Sequence, residues 1–247
     1  MPIRTPPRSW MDPELELLRD TARRFFDTEC VPRQAAWVAQ KHPDRDIWRH
    51  AGELGLLGAG VPEAYGGSGG SFLHEAVICE EQHRALVNSF SLNVHSGIVS
   101  HYLLDYGTEE QKLRWLPSMA RGEMVAAIAM TEPGAGTDLQ RIKTTAERDG
   151  DHYLVNGAKT FITNGMHADL VCVAVKTDVQ AKAKGVSLLV METRDLPGFR
   201  RGPLLDKLGQ RGQDTVELFF DDVRVPMANL LGGEEGRGFS QLMQQLP

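Results

Sequence analysis

The sequence has few cysteines, no long apolar run and no excess of basic residues. Its 3 cysteines, Cys30, Cys79 and Cys172, lie far apart and form no CxxC pair. That spacing argues against a disulfide framework or a thiolate zinc site, so no metal is expected, and a reducing, cytoplasmic compartment fits. No apolar stretch reaches the ~20 residues a membrane helix needs, so membrane insertion is not expected. The N-terminal "MPIRTPPRSWMDPE" lacks the apolar core of a secretory signal. With 27 Lys+Arg against 33 Asp+Glu, the net charge is −6 and the basic stripe of a nucleic-acid binder is missing. Internal repeats and low-complexity tracts are absent as well. What remains is an ordinary globular composition, 41% hydrophobic and 24% charged over 247 residues, enough for one large domain or two.

Residues 1–121 read mainly as helix. "DPELELLRDTARRFF" offers Asp12 as N-cap and Pro13 at the first helical position, with Leu15, Leu18, Ala22, Phe25 and Phe26 at helical spacing. "GTEEQKLRWLPSMARGE" opens with a capping box, Thr108 to Gln111. "VPEAYGGSGGS" between helices is too rich in glycine for regular structure. Near Gly122 the pattern changes to short Val, Leu and Phe-rich runs of strand length. Asp149-Gly150 predicts a hairpin, and Asn156-Gly157 a turn or bulge. Residues 122–225 thus read as a β-domain. Helical spacing returns in 226–247, where Phe239, Leu242, Met243 and Leu246 share a face. The expected fold class is α+β: a helical bundle, a small antiparallel β-barrel-like domain, and the start of a further helical domain.

The segment "AIAMTEPGAGTD" joins an apolar run to a turn of unusual bareness. Gly134 and Gly136 let backbone N–H groups face a ligand without Cβ interference. Thr131 and Thr137 add hydroxyls that both donate and accept. Such a nest suits a heteroaromatic ring edge or a diphosphate, while a tight surface turn capped by Asp138 is the alternative. A dinucleotide fingerprint does not fit, because a third glycine and a βαβ unit are both missing. No Gly-Lys-Ser or Gly-Lys-Thr follows to make a Walker loop. Further on, "KTFITNG" places Phe161 two residues from Thr163, and strand alternation predicts both on one face.

Together, "AMTEPGAGTD" and "KTFITNG" resemble the paired flavin-binding segments of acyl-CoA dehydrogenases. The resemblance extends through "LGLLGAGVPEAYGGSGGS", "YGTEEQKLRWLPSMARGEMVAAIAMTEP" and "LGQRGQDTVELFFDDVRVPMANLLGGEEGRGFSQLMQQLP", and is closest to the long-chain branch. It implies FAD as cofactor, acyl-CoA as substrate, and an electron-transfer flavoprotein as acceptor. The complete protein would be a homo-oligomer, dimer or tetramer, and would sit in the mitochondrial matrix if the source is eukaryotic. The implied reaction removes the α-proton with a carboxylate while hydride leaves the β-carbon for flavin N5. This resemblance puts Ile128, Ala129, Met130, Thr131, Gly136 and Thr137 along the flavin, with Phe161, Ile162 and Thr163 flanking its ring system. Thr137 would also touch the thioester, Ala183 and Lys184 the CoA portion, and Ser240 the acyl pocket. Lys184 reads equally as a solvated loop charge.

Departures from the family pattern are Phe161 where a tryptophan is usual, Arg141 where a small residue is usual, and Ser240 where an aromatic is usual. Arg211 and Asp214 are expected to hold a strand-to-helix exit. Glu132 and Asp138 invite an acid–base role, but the resemblance assigns α-proton removal to neither. It places the base on the C-terminal helical domain, just beyond Pro247, so this chain alone is expected to be inactive. A non-catalytic flavin or acyl-CoA-binding remnant and an acyl-CoA oxidase are the alternatives. Apolar surface left without that domain is expected to drive self-association.

Overall fold

In the computed structural model, which describes residues 9–245, the first half is helical. Helix α1 (Pro13–Phe25) starts where the Asp12 carboxylate accepts the Leu15 N–H at 2.8 Å. Two short helices follow, α2 (Gln34–Gln40) and α3 (Asp46–Glu53). Helix α4 (Phe72–Arg84) is capped by Ser71 and packs against α1. A π-helical stretch, Val94–Val99, runs into α5 (Ser100–Tyr106). The box formed by Thr108 and Gln111 then caps α6 (Glu109–Ala120) in both directions. Trp37 and Trp48 are fully buried with Phe25, Phe26 and Phe90 in the core of this region.

Seven strands form one curled sheet: β1 (Ala126–Ala129), β2 (Thr145–Asp149), β3 (His152–Thr163), β4 (Leu170–Lys176), β5 (Val186–Glu192), β6 (Phe199–Arg201) and β7 (Thr215–Pro226). The hairpin between β2 and β3 turns through Gly150, which has φ of 63°. Alternation along β4 sends Cys172 and Ala174 toward Trp115 and Leu103 of the helical layer, while Val171, Val173 and Val175 face the inside of the curl. Both faces of β4 are therefore buried, which explains its uninterrupted apolar sequence.

The sheet is mixed rather than wholly antiparallel. β1 runs parallel to β4, pairing Ala126 with Leu170 through Ala129 with Val173, and β2 meets β4 in parallel at Thr145 and Lys176. The chain leaves β1 through the glycine turn and builds the β2–β3 hairpin before returning beside β1, so β4 re-enters in the same direction. Helix α7 (Gly238–Gln245) closes the described chain against β5, with Leu242 buried and Met243 exposed. Leu246, expected on the same face, lies outside the described residues. Among the described residues, no helix is long and apolar enough to cross a membrane.

Candidate functional site

β1 delivers the chain into the turn at one end of the sheet. His95, fully buried, anchors it: its Nδ1 accepts the Ala126 N–H at 3.0 Å and its Nε2 donates to the Met119 carbonyl at 3.1 Å. Burial holds this imidazole neutral, its pKa pushed down to about 4. Ala129 is buried, whereas Ile128 and Met130 are partly exposed and lean on the helical core. Glu132 and Ala135 then exchange backbone hydrogen bonds at 2.9 and 3.1 Å around Pro133-Gly134, a proline-led turn. The Asp138 carboxylate accepts the Gln140 N–H at 3.2 Å and caps the turn's exit.

β3 brings the second segment beside the first, because the Thr160 N–H donates to the Thr131 carbonyl at 2.9 Å. Pairing of β3 with β7 slips twice, between Val155 and Gly157 and between Lys159 and Ile162. The first slip makes Asn156-Gly157 a bulge. At the second, Phe161 takes a left-handed backbone with φ of 60° and its ring is 68% exposed, while Ile162 turns into the core. The break in alternation falls at Lys159 and Thr160, which are both buried; beyond it Phe161 is exposed, Ile162 buried and Thr163 half-buried. A left-handed phenylalanine costs about 1–2 kcal/mol, a strain that clusters at functional sites.

Glu132 is not a free acid. Its Oε1 meets Lys159 Nζ at 2.8 Å, and both side chains are buried. The carboxylate also accepts the Lys143 and Thr144 N–H groups at 2.6 and 3.0 Å. Burial alone would raise its pKa, but the Lys159 charge and these hydrogen bonds outweigh it and hold it below the usual carboxylate range. Burial in turn lowers the Lys159 ammonium to about 8, with Glu132 opposing. Both acids are thus engaged in holding the turn, Glu132 through Lys159 and the Lys143 and Thr144 amides, Asp138 through the Gln140 N–H.

The turn keeps donors in reserve. The N–H groups of Thr131, Gly136 and Thr137 find no acceptor among the described residues. A Cβ added at Gly134 or Gly136 would meet nothing within 4 Å, and neither has a left-handed φ. Neither neighbours nor backbone conformation demand glycine there, so the bareness faces open space. Free amides, open space and an exposed aromatic held by a bulge together suit a ring such as a flavin. By contrast, a Cβ on Gly157 would lie 2.5 Å from Thr144 Oγ1, so that glycine serves packing.

Other expected residues are differently placed. Ala183 and Lys184 lie on a single helical turn, Lys182–Gly185, which packs against the Leu139–Arg141 turn and α7. Ser240, exposed on α7, donates its hydroxyl to the Arg237 carbonyl at 2.8 Å. Arg211 and Asp214 lead into β7 rather than out of a strand into a helix. Asp214 is buried, because the loop before β7 folds under the end of β3, where its carbonyl accepts the Asn164 N–H at 3.3 Å. Sequence reasoning gave Lys159 no role, and the mixed run around it, Asn156-Gly157-Ala158-Lys159-Thr160, carries no signal of its burial. α4 and the Val94–Val99 stretch line a groove of about 970 Å³ with Phe72, Ala76, Cys79 and Gly97 among its walls.

Comparison with known proteins accords with this arrangement. Residues 12–123 match the acyl-CoA dehydrogenase N-terminal domain and residues 127–223 the middle domain. The mitochondrial long-chain specific acyl-CoA dehydrogenase of Mus musculus is 45% identical over 236 residues, which is 95% of this chain and 54% of that protein. An acyl-CoA dehydrogenase from Geobacillus kaustophilus superposes with a TM-score of 0.93 at 49% identity, covering 97% of this chain and 63% of that one. An acyl-CoA dehydrogenase complexed with FAD from Bacillus anthracis gives a TM-score of 0.90 at 36% identity over 98% of this chain and 41% of that one. The chain spans about half the length of the curated relatives it matches. Two successive domain matches, in the order of the helical and sheet regions described above, show that the chain belongs to the acyl-CoA dehydrogenase family.

Proposed function

We propose that the turn at residues 131–138 and the bulged Phe161 form the flavin side of a site for FAD-dependent α,β-dehydrogenation of acyl-CoA thioesters. One observation carries the reading: unclaimed amides at Thr131, Gly136 and Thr137 stand on a segment tied directly to the strand that exposes Phe161. The FAD-complexed relative supports the choice of ligand. FAD held there would supply the acceptor for the hydride leaving the substrate β-carbon. Thr131 and the Gly136 amide would hold the ring edge, Phe161 and Thr163 would flank its faces, and Ile162, its side chain in the core, would offer only backbone. Ile128, Ala129 and Met130 form the floor leading into the turn. Thr137 meets the thioester end, where donors to the carbonyl oxygen acidify the α-proton. Ala183 and Lys184 contact the CoA portion, and Ser240 lies on the helix nearest the acyl end.

Glu132 is committed to Lys159, and Asp138 to the turn's exit. The family resemblance assigns removal of the α-proton to a carboxylate of the C-terminal helical domain, on the face opposite the flavin. Electrons pass onward to an electron-transfer flavoprotein, and the complete protein is a homo-oligomer. Its compartment is the mitochondrial matrix in a eukaryotic source and the cytoplasm otherwise. Titrating the purified chain with FAD tests the reading by quenching of flavin fluorescence. We expect saturable binding that weakens about tenfold in F161A, the loss of one ring stack. A chain that leaves FAD fluorescence unchanged sinks the proposal.

A further inference from the structure

A lysine buried to 0% exposure inside a strand is costly, and a buried ion pair is a poor source of stability compared with apolar residues of the same volume. Lys159 engages a specific backbone group. Its Nζ donates to the Met130 carbonyl at 3.1 Å as well as to Glu132 Oε1 at 2.8 Å. In a planar trans peptide, the N–H points opposite to the C=O. With the Met130 carbonyl drawn to Lys159, the N–H of the same peptide, that of Thr131, is turned away from Lys159. This is one of the amides left without an acceptor.

We propose that Lys159, with Glu132, is a positioning residue for the ligand-facing turn: it fixes the peptide between Met130 and Thr131 so that the Thr131 N–H stands free as a donor to the flavin ring edge. The assignment rests on the flavin reading above and extends it to a residue that touches no ligand. Glu132 carries the restraint across the turn. Through the Lys143 and Thr144 amides it ties the turn's start to the strand entry beyond it. Thr160, next to Lys159, holds the adjoining Thr131 carbonyl at 2.9 Å. The bulge begins directly after Lys159, so the same residue marks where β3 leaves its register to expose Phe161. One buried pair thus sets both walls of the slot, the donor turn and the outward ring.

The test uses the 247-residue chain, FAD as the probe, and the variants K159M, E132Q and K159M/E132M. Three quantities are read: the FAD dissociation constant, the visible spectrum of the bound flavin, and the melting temperature. K159M should weaken FAD binding about tenfold, the cost of one misdirected hydrogen bond. The apolar double variant should melt somewhat below wild type but above K159M, since the burial penalty goes with both charges while the Lys143 and Thr144 amides lose their acceptor. It should still bind FAD about tenfold more weakly, with a shifted flavin spectrum. Should the double variant not fold, E132Q decides the matter, because the introduced carboxamide can still accept an amide of the turn while losing the charge that holds Lys159; its FAD binding should weaken several-fold. Wild-type affinity and spectrum in a folded double variant, or in E132Q, overturn the assignment and leave a purely structural pair. Failure of the wild-type chain to bind FAD overturns the flavin reading, and the assignment with it.

Discussion

Replacing Asp214 with asparagine should stabilise the protein at neutral pH. Asp214 is 2% exposed, and its Oδ1 has no hydrogen-bond partner. Only Oδ2 is engaged, accepting the His167 N–H at 3.3 Å. Burial dominates and lifts the carboxyl pKa from 3.8 to about 6, against the opposing pull of the Met166 and His167 amides and the Lys207 and His42 charges. The folded chain thus binds a proton more tightly than the unfolded chain. Its stabilising effect is fully present below the unfolded pKa of 3.8 and is lost as pH rises through about 6. That rise in pKa corresponds to about 3 kcal/mol of penalty for the ionised form. Asparagine mimics the neutral acid and removes most of that penalty. For a chain of this size, the melting temperature should rise by about 5 °C or more at about pH 7.5. Near pH 4 the two proteins should melt together, because the wild-type carboxyl is then mostly protonated. Circular dichroism melts at both pH values provide the test. The other titrating groups are common to both proteins, so the difference isolates Asp214. A D214N protein no more stable than wild type at neutral pH, or a gap that does not change with pH, would refute the argument.

Other consequences are as direct. His95 is buried neutral with its pKa lowered from 6.5 to about 4, so the stability it contributes is present above pH 6.5 and lost as pH falls toward 4. The variant H95Q, which can keep both hydrogen bonds without a titrating ring, should flatten that part of an acid-unfolding curve. F161G should raise the stability of the ligand-free chain by about 1 kcal/mol, since glycine adopts a φ of 60° without strain. The same change should weaken FAD binding, and equal affinity would detach Phe161 from the site. D12A removes the α1 cap and should cost about 1 kcal/mol in denaturant melts. Phe72, 79% exposed at the rim of the helical groove, should promote self-association; F72S should then sediment as a smaller species than wild type.

The features legible in the sequence are those whose causes lie within a few residues. Asp12 caps α1 because its carboxylate reaches an amide three residues on, and the same logic reads the box of Thr108 and Gln111. Gly150 turns the β2–β3 hairpin because the chain there needs a positive φ. What was not legible depends on partners far along the chain. The parallel contact of β1 with β4 is chosen by where the hairpin lies, not by either strand's residues. The Phe161 bulge comes from a slip against β7, so period-2 alternation, a property of one strand, could not foresee it. Lys159 and Glu132 are 27 positions apart, and each alone looks like a surface charge. Only their joint burial converts two solvated groups into one restraint. The same holds for the bare turn. As a string, Gly-Ala-Gly reads equally as a surface bend, and the family resemblance alone pointed to a flavin. In the fold, open space above both glycines and unclaimed amides beside them remove any packing reason for glycine. A braced turn whose amides find no acceptor in the protein is what the flavin reading proposed above requires, because a ring edge placed there would supply the acceptors.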